Sequence, residues 1–142
     1  NIDVDSEGQV YVADRENRRI QIFGPGGEFK TQWNNLSRAA CVCVDKRNNG
    51  LVYVGEYFAG IASNLTGLDL GPRVTIFDKN GNVKARLSNQ PFGPEPGRFY
   101  SPHGIAVDSK GAIYVAEVSW SEYGQDKGPP YELRSMQKLV RM

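Results

Sequence analysis

Any chemistry in this chain would have to pass through His103, the single histidine among its 142 residues. An imidazole binds transition metals and moves protons near neutral pH. Zinc, however, needs three or four converging ligands, so one histidine is not a complete site. Three carboxylates, Asp14, Glu56 and Glu117, each close an apolar-Tyr-Val-small-acid phrase. They could orient the nearby Arg15, Arg18 and Arg19, touch a ligand, or serve as buried hydrogen-bond acceptors, because a buried carboxylate needs partners. A second set, Asp5, Asp45 and Asp108, precedes Gly8, Gly50 and Gly111. Asp opening a turn that glycine closes is turn chemistry, so this set is read as structural.

The phrase that carries these acids recurs. Ile2-Asp3-Val4-Asp5 with Val10-Tyr11-Val12-Ala13-Asp14 returns as Val42-Cys43-Val44-Asp45 with Val52-Tyr53-Val54-Gly55-Glu56. It returns again as Ile105-Ala106-Val107-Asp108 with Ile113-Tyr114-Val115-Ala116-Glu117. A spacing near forty residues is the period of propeller blades. Each copy continues into further short runs rich in β-branched and aromatic residues, such as Arg19–Phe23 and Arg73–Phe77. Gly and Asn turns bound these runs, which predicts strands. Four antiparallel strands per repeat, a to d from the inside out, make one blade. The expected fold is all-β, a β-propeller of about three four-stranded blades.

Blade one is read as 1–36, blade two as 37–92 and blade three as 93–142, the last resuming at Met136 and stopping before strand d. Three blades cannot close a ring, which needs about four to eight. The expected assembly is half of a six-bladed ring, completed by the remaining blades or by a second copy of the chain. Cys41 and Cys43 lie two apart in one strand, near the outer limit of about 6.8 Å for disulfide Cα separation. They are read as thiols filling a gap between strands.

In such a blade, the link entering strand a and the link between strands b and c open on the same face. His103 therefore shares a face with the residues after Asp14, Glu56 and Glu117. Two long b–c insertions, 57–72 and 118–134, open there too, whereas blade one uses only Arg15–Arg18. Long excursions on one face of a rigid scaffold build sites. The ligand-face candidates are Arg15, Arg18, Glu56, Tyr57, Glu117 and Trp120. Phe58, Tyr123 and Tyr131 add aromatic surface for a peptide or small-molecule ligand.

Gly97-Arg98-Phe99-Tyr100-Ser101-Pro102-His103-Gly104-Ile105-Ala106-Val107-Asp108 resembles the NHL family, which implies that the all-β fold is an NHL-type β-propeller. This run and Val12-Ala13-Asp14-Arg15-Glu16-Asn17-Arg18-Arg19-Ile20-Gln21 resemble the peptidyl-α-hydroxyglycine α-amidating lyase branch in particular. The resemblance implies that histidines on alternate blades hold a central zinc, with His103 as one ligand. The matching blade-two position is Ala40, and the blade-one position falls just before Asn1, where His is expected. Gly104 stands where that branch has an aspartate for calcium, and Ser101 where it has methionine. The implied catalytic Arg and Tyr lie in blades preceding Asn1, so this segment alone is expected to be inactive. A secreted or periplasmic setting is implied.

A net charge of +1 argues against an RNA partner, the main rival class. Arg15, Arg18 and Arg19 are interleaved with acids, as on a solvated surface. No apolar run is long enough for a membrane helix. Asn64-Leu65-Thr66 fits a glycosylation acceptor.

Overall fold

The computed structural model describes residues 1–47, 50–58, 70–88, 93–125 and 133–140. Its strands form three antiparallel sheets of consecutive strands. The first holds β1 (Ile2–Val4), β2 (Val10–Asp14), β3 (Arg19–Phe23) and β4 (Phe29–Trp33). The second holds β5 (Arg38–Val44), β6 (Val52–Tyr57), β7 (Arg73–Phe77) and β8 (Val83–Leu87). The third holds β9 (Pro102–Val107), β10 (Ile113–Glu117) and β11 (Met136–Leu139). These are the blades that the repeat predicts, in the same strand order each time. A short π-helical turn, Trp120–Gly124, lies between β10 and β11; no periodicity in the sequence announced it.

The turns at one end of each blade are held as their chemistry dictates. Asp108 Oδ1 accepts the backbone N–H groups of Lys110 and Ala112 at 2.8 and 3.0 Å. The Tyr114 hydroxyl reaches its other oxygen at 3.1 Å. Asp5 repeats the arrangement with Glu7, Gln9 and Tyr11. These carboxylates are consumed by the turns they open, which explains why Asp and a phase-locked Tyr recur together.

Blades pack through their seams. Between the first and second sheets, Trp33 lies 5.9 Å from the Tyr11 ring and 5.0 Å from Phe77. The turn before β8 crosses this indole so closely that a Cβ on Gly81 would sit 2.4 Å from Trp33 Nε1. Gly81 is therefore required, and its φ of +85° suits glycine as well. In the next seam the strand registers put Leu87 and Leu139 where Trp33 and Phe77 stand. The smaller side chains leave a groove of 820 Å³ over Tyr53, Ile76 and Ile113.

The inner strands are stitched by side chains. Asn1 Oδ1 accepts from Val42 N–H at 2.9 Å, and Asp3 Oδ2 from Val44 N–H at 2.8 Å. Both cysteines are free thiols. Cys43 stands one blade on from Asp3, against the backbone of Val107. Cys41 packs on Gly55, where any Cβ would lie 2.5 Å from its sulfur.

Candidate functional site

Irregularities in the ladder decide where His103 points. Glu117 pairs with Pro102 and Ala116 with Gly104, so His103 is the extra residue of a β-bulge. Blade two has the same bulge, where Glu56 pairs with Ala39 and Gly55 with Cys41, leaving Ala40 over. Bulges re-aim side chains beside functional sites. Here the device turns the imidazole out at the strand entrance, and His103 is exposed whereas Ala40 is buried.

The imidazole meets the end of β6. The Tyr57 ring stands edge-on to it, with centroids 5.8 Å apart and planes at 74°. Tyr57 itself is buried, and two guanidiniums lie against its ring: Arg15 at 5.5 Å and Arg38 at 5.4 Å. Glu16 ties these cations together, accepting from Arg15 Nε at 2.8 Å and Arg38 Nε at 3.2 Å. Blade one thus supplies Arg15 and Glu16, blade two Arg38 and Tyr57, and blade three His103. Burial pushes the Tyr57 phenol pKa up, with Glu122 adding to the shift and both arginines opposing it.

The Glu122 contribution brings the π-helical turn into this neighbourhood. Trp120 begins that turn and is half exposed. Tyr123 packs on Tyr100 at 4.8 Å. Arg18 closes the blade-one link in a left-handed conformation, φ 54°, an uncommon backbone for a residue with a side chain. Residues 59–69 and 126–132, including Tyr131 and Asn64-Leu65-Thr66, lie outside the described residues.

Glu56 and Glu117 are both buried. Glu56 is completely buried and accepts from the Ser37 N–H, from Arg73 Nε at 3.0 Å and from the Thr75 hydroxyl. Glu117 accepts from the Tyr100 and Ser101 N–H groups and from Gln137 Nε2 at 3.0 Å. Ser37 and Tyr100 hold equivalent places two residues before the strand position paired with each acid. One device therefore repeats: the acid ending strand b clamps the backbone entering strand a. Asp14 is half buried and is held by Arg19 Nε at 2.8 Å and Asn17.

Arg38 and Glu16 were not anticipated from the sequence. The available signal was an arginine directly ahead of the apolar run Ala39–Val44. A cation buried there needs both an anion and a surface to cover it.

A family model described as NHL repeat matches residues 2–23 and 99–121. Over 126 residues the chain is 32% identical to NHL repeat-containing protein 3 of Homo sapiens, covering 83% of this chain and 32% of that protein. Over 139 residues it is 29% identical to peptidyl-glycine alpha-amidating monooxygenase B of Xenopus laevis, covering 95% of this chain and 15% of that protein. The chain thus spans about a third, or less, of the length of these relatives. A solved structure of a protein of unknown function from Bacteroides caccae superposes with a TM-score of 0.71 at 11% identity, over 97% of this chain and 44% of that one. That last likeness concerns the fold alone.

Proposed function

We propose that this chain, whose sheets are propeller blades with NHL-repeat matches at residues 2–23 and 99–121, works through the rim where His103, Tyr57 and Arg15 meet. The proposed activity of the whole ring, six blades in all, is lyase-like cleavage of a peptidyl-α-hydroxyglycine to a peptide amide and glyoxylate. One observation carries this reading. Side chains from three blades form one run of contacts, with Arg15 5.5 Å from the Tyr57 ring and that ring 5.8 Å from the exposed His103 imidazole.

The residues suit zinc only in part. The bulge leaves the His103 imidazole exposed, as a ligand must be. Among the described residues no group of three His, Cys, Asp or Glu could hold a metal ion. His103 would therefore be one ligand of a set completed by other blades, and Gly104 offers nothing to calcium. Zinc so held supplies Lewis-acid polarisation of a substrate hydroxyl. The chain's own contribution is positioning: Arg15, paired with Glu16, covers the Tyr57 ring, and that ring stands edge-on to the His103 imidazole.

A second reading is a non-catalytic module that binds a peptide or protein on the same rim. The sequestration of Glu56 and Glu117 favours it, since neither acid is free to act as a base. RNA is disfavoured because Arg15 and Arg38 already share Glu16.

Metal analysis of the chain joined to its remaining blades separates the readings. Stoichiometric zinc that is lost in His103→Ala, with turnover of a peptidyl-α-hydroxyglycine, supports the lyase. A folded, metal-free protein rejects it and leaves the binding module.

A further inference from the structure

The geometry points to Tyr57 as the positioning residue of the rim, fixing His103 and linking it to the Arg15–Glu16 pair of blade one. This rests on the rim being the working surface, but it concerns geometry that can be read without any ligand. A histidine exposed on a bulge has free rotation about its side-chain bonds unless something holds the ring. The Tyr57 ring does so through an edge-to-face contact, the favoured arrangement for two aromatic planes.

Tyr57 is itself held from four directions. Its backbone pairs with Arg38 in the β5–β6 ladder, and its carbonyl accepts the Ser37 hydroxyl at 2.7 Å. Phe58 stacks on the ring, with centroids 6.3 Å apart. The guanidiniums of Arg15 and Arg38 cover it as cation–π partners. Arg38 is nearly fully buried, with 4% of its side chain exposed, so it cannot swing away. Arg15 is 41% exposed and can. A ligand that draws Arg15 or Glu16 toward itself therefore loosens one side of the Tyr57 ring and is felt at the imidazole. The outer arginine is the movable member; the inner arginine is the anchor.

His103 is the only histidine, so its ring proton signals need no assignment strategy. In the native protein these signals should be displaced from free-histidine positions and show through-space transfer to the Tyr57 ring. Tyr57→Phe keeps an aromatic ring and should keep both features. Tyr57→Leu should move the signals to free positions and abolish the transfer. Arg15→Gln should shift them partway while the fold, read by dispersed amide signals, is unchanged. Should Tyr57→Leu fail to fold, the native spectrum and Arg15→Gln still decide. Native histidine signals at free positions, or signals indifferent to Arg15→Gln, overturn the inference. Either result would leave the zinc and turnover measurements to judge the function separately.

Discussion

Glu56 shows what burial asks of a carboxylate. It closes strand b on the rim side, yet every oxygen is spoken for by Ser37, Arg73 and Thr75. Removing it would strand the Arg73 guanidinium, whose side chain is 8% exposed. Breaking a buried pair from one side costs about 3–5 kcal/mol. Glu56→Ala should therefore lower unfolding free energy by that amount in urea titrations. Asp14→Ala, at the equivalent but half-exposed position, should cost about 1 kcal/mol. Equal losses at the two positions would refute the clamp as a burial-dependent device. The sequence shows an acid at both places with nothing to separate them. Burial separates them, and burial depends on the neighbouring blade.

Strand placement was legible because the repeat supplies period-two patterning and turn residues three times over. Val10–Asp14, Arg19–Phe23 and Arg73–Phe77 fall where those signals put them. The bulges were not legible. Nothing in Ser101-Pro102-His103-Gly104 says that one residue is surplus; only pairing with β10 reveals it. The same surplus at Ala40 faces the interior, 6% exposed, while His103 opens outward. Element geometry therefore gives two similar bulges opposite outcomes on substitution. His103→Ala should change stability by no more than about 0.5 kcal/mol, as for exposed positions generally. Ala40→His must force an imidazole into packed surroundings, at about 1–3 kcal/mol. Paired thermal melts of the two variants test this, and a destabilised His103→Ala would mean that the imidazole holds the bulge together.

At the scale of the whole molecule, packing the sheets buries several weak acids in their neutral forms, and Cys41 and Tyr11 are the two pushed furthest. Cys41, on β5 and packed against Gly55 of β6, has its thiol pKa pushed up to about 12 by burial. Tyr11, against Trp33 in the first seam, is likewise raised to about 12, first by burial and then by the Asp5 charge. A raised pKa means that the folded state holds its proton longer than the unfolded chain does. The stability so gained is complete below the unfolded value, near 9 for the thiol and 10 for the phenol. It is lost as pH climbs toward 12, because the unfolded chain then ionises first. Unfolding free energy should accordingly be flat from neutral pH to about 9 and fall steadily above it. Cys43, also pushed up by burial, ionises from the same starting value, so Cys41→Ala combined with Cys43→Ala is the variant that removes both of the earlier ionisations while keeping small apolar groups in the gap. In that variant the decline should begin about one pH unit later, near the phenol's unfolded value. Urea titrations at pH 8, 9, 10 and 11 (roughly evenly bracketing both groups) read the two onsets directly. Identical profiles for the two proteins would place the alkaline weakness elsewhere than the seam between the second and third inner strands.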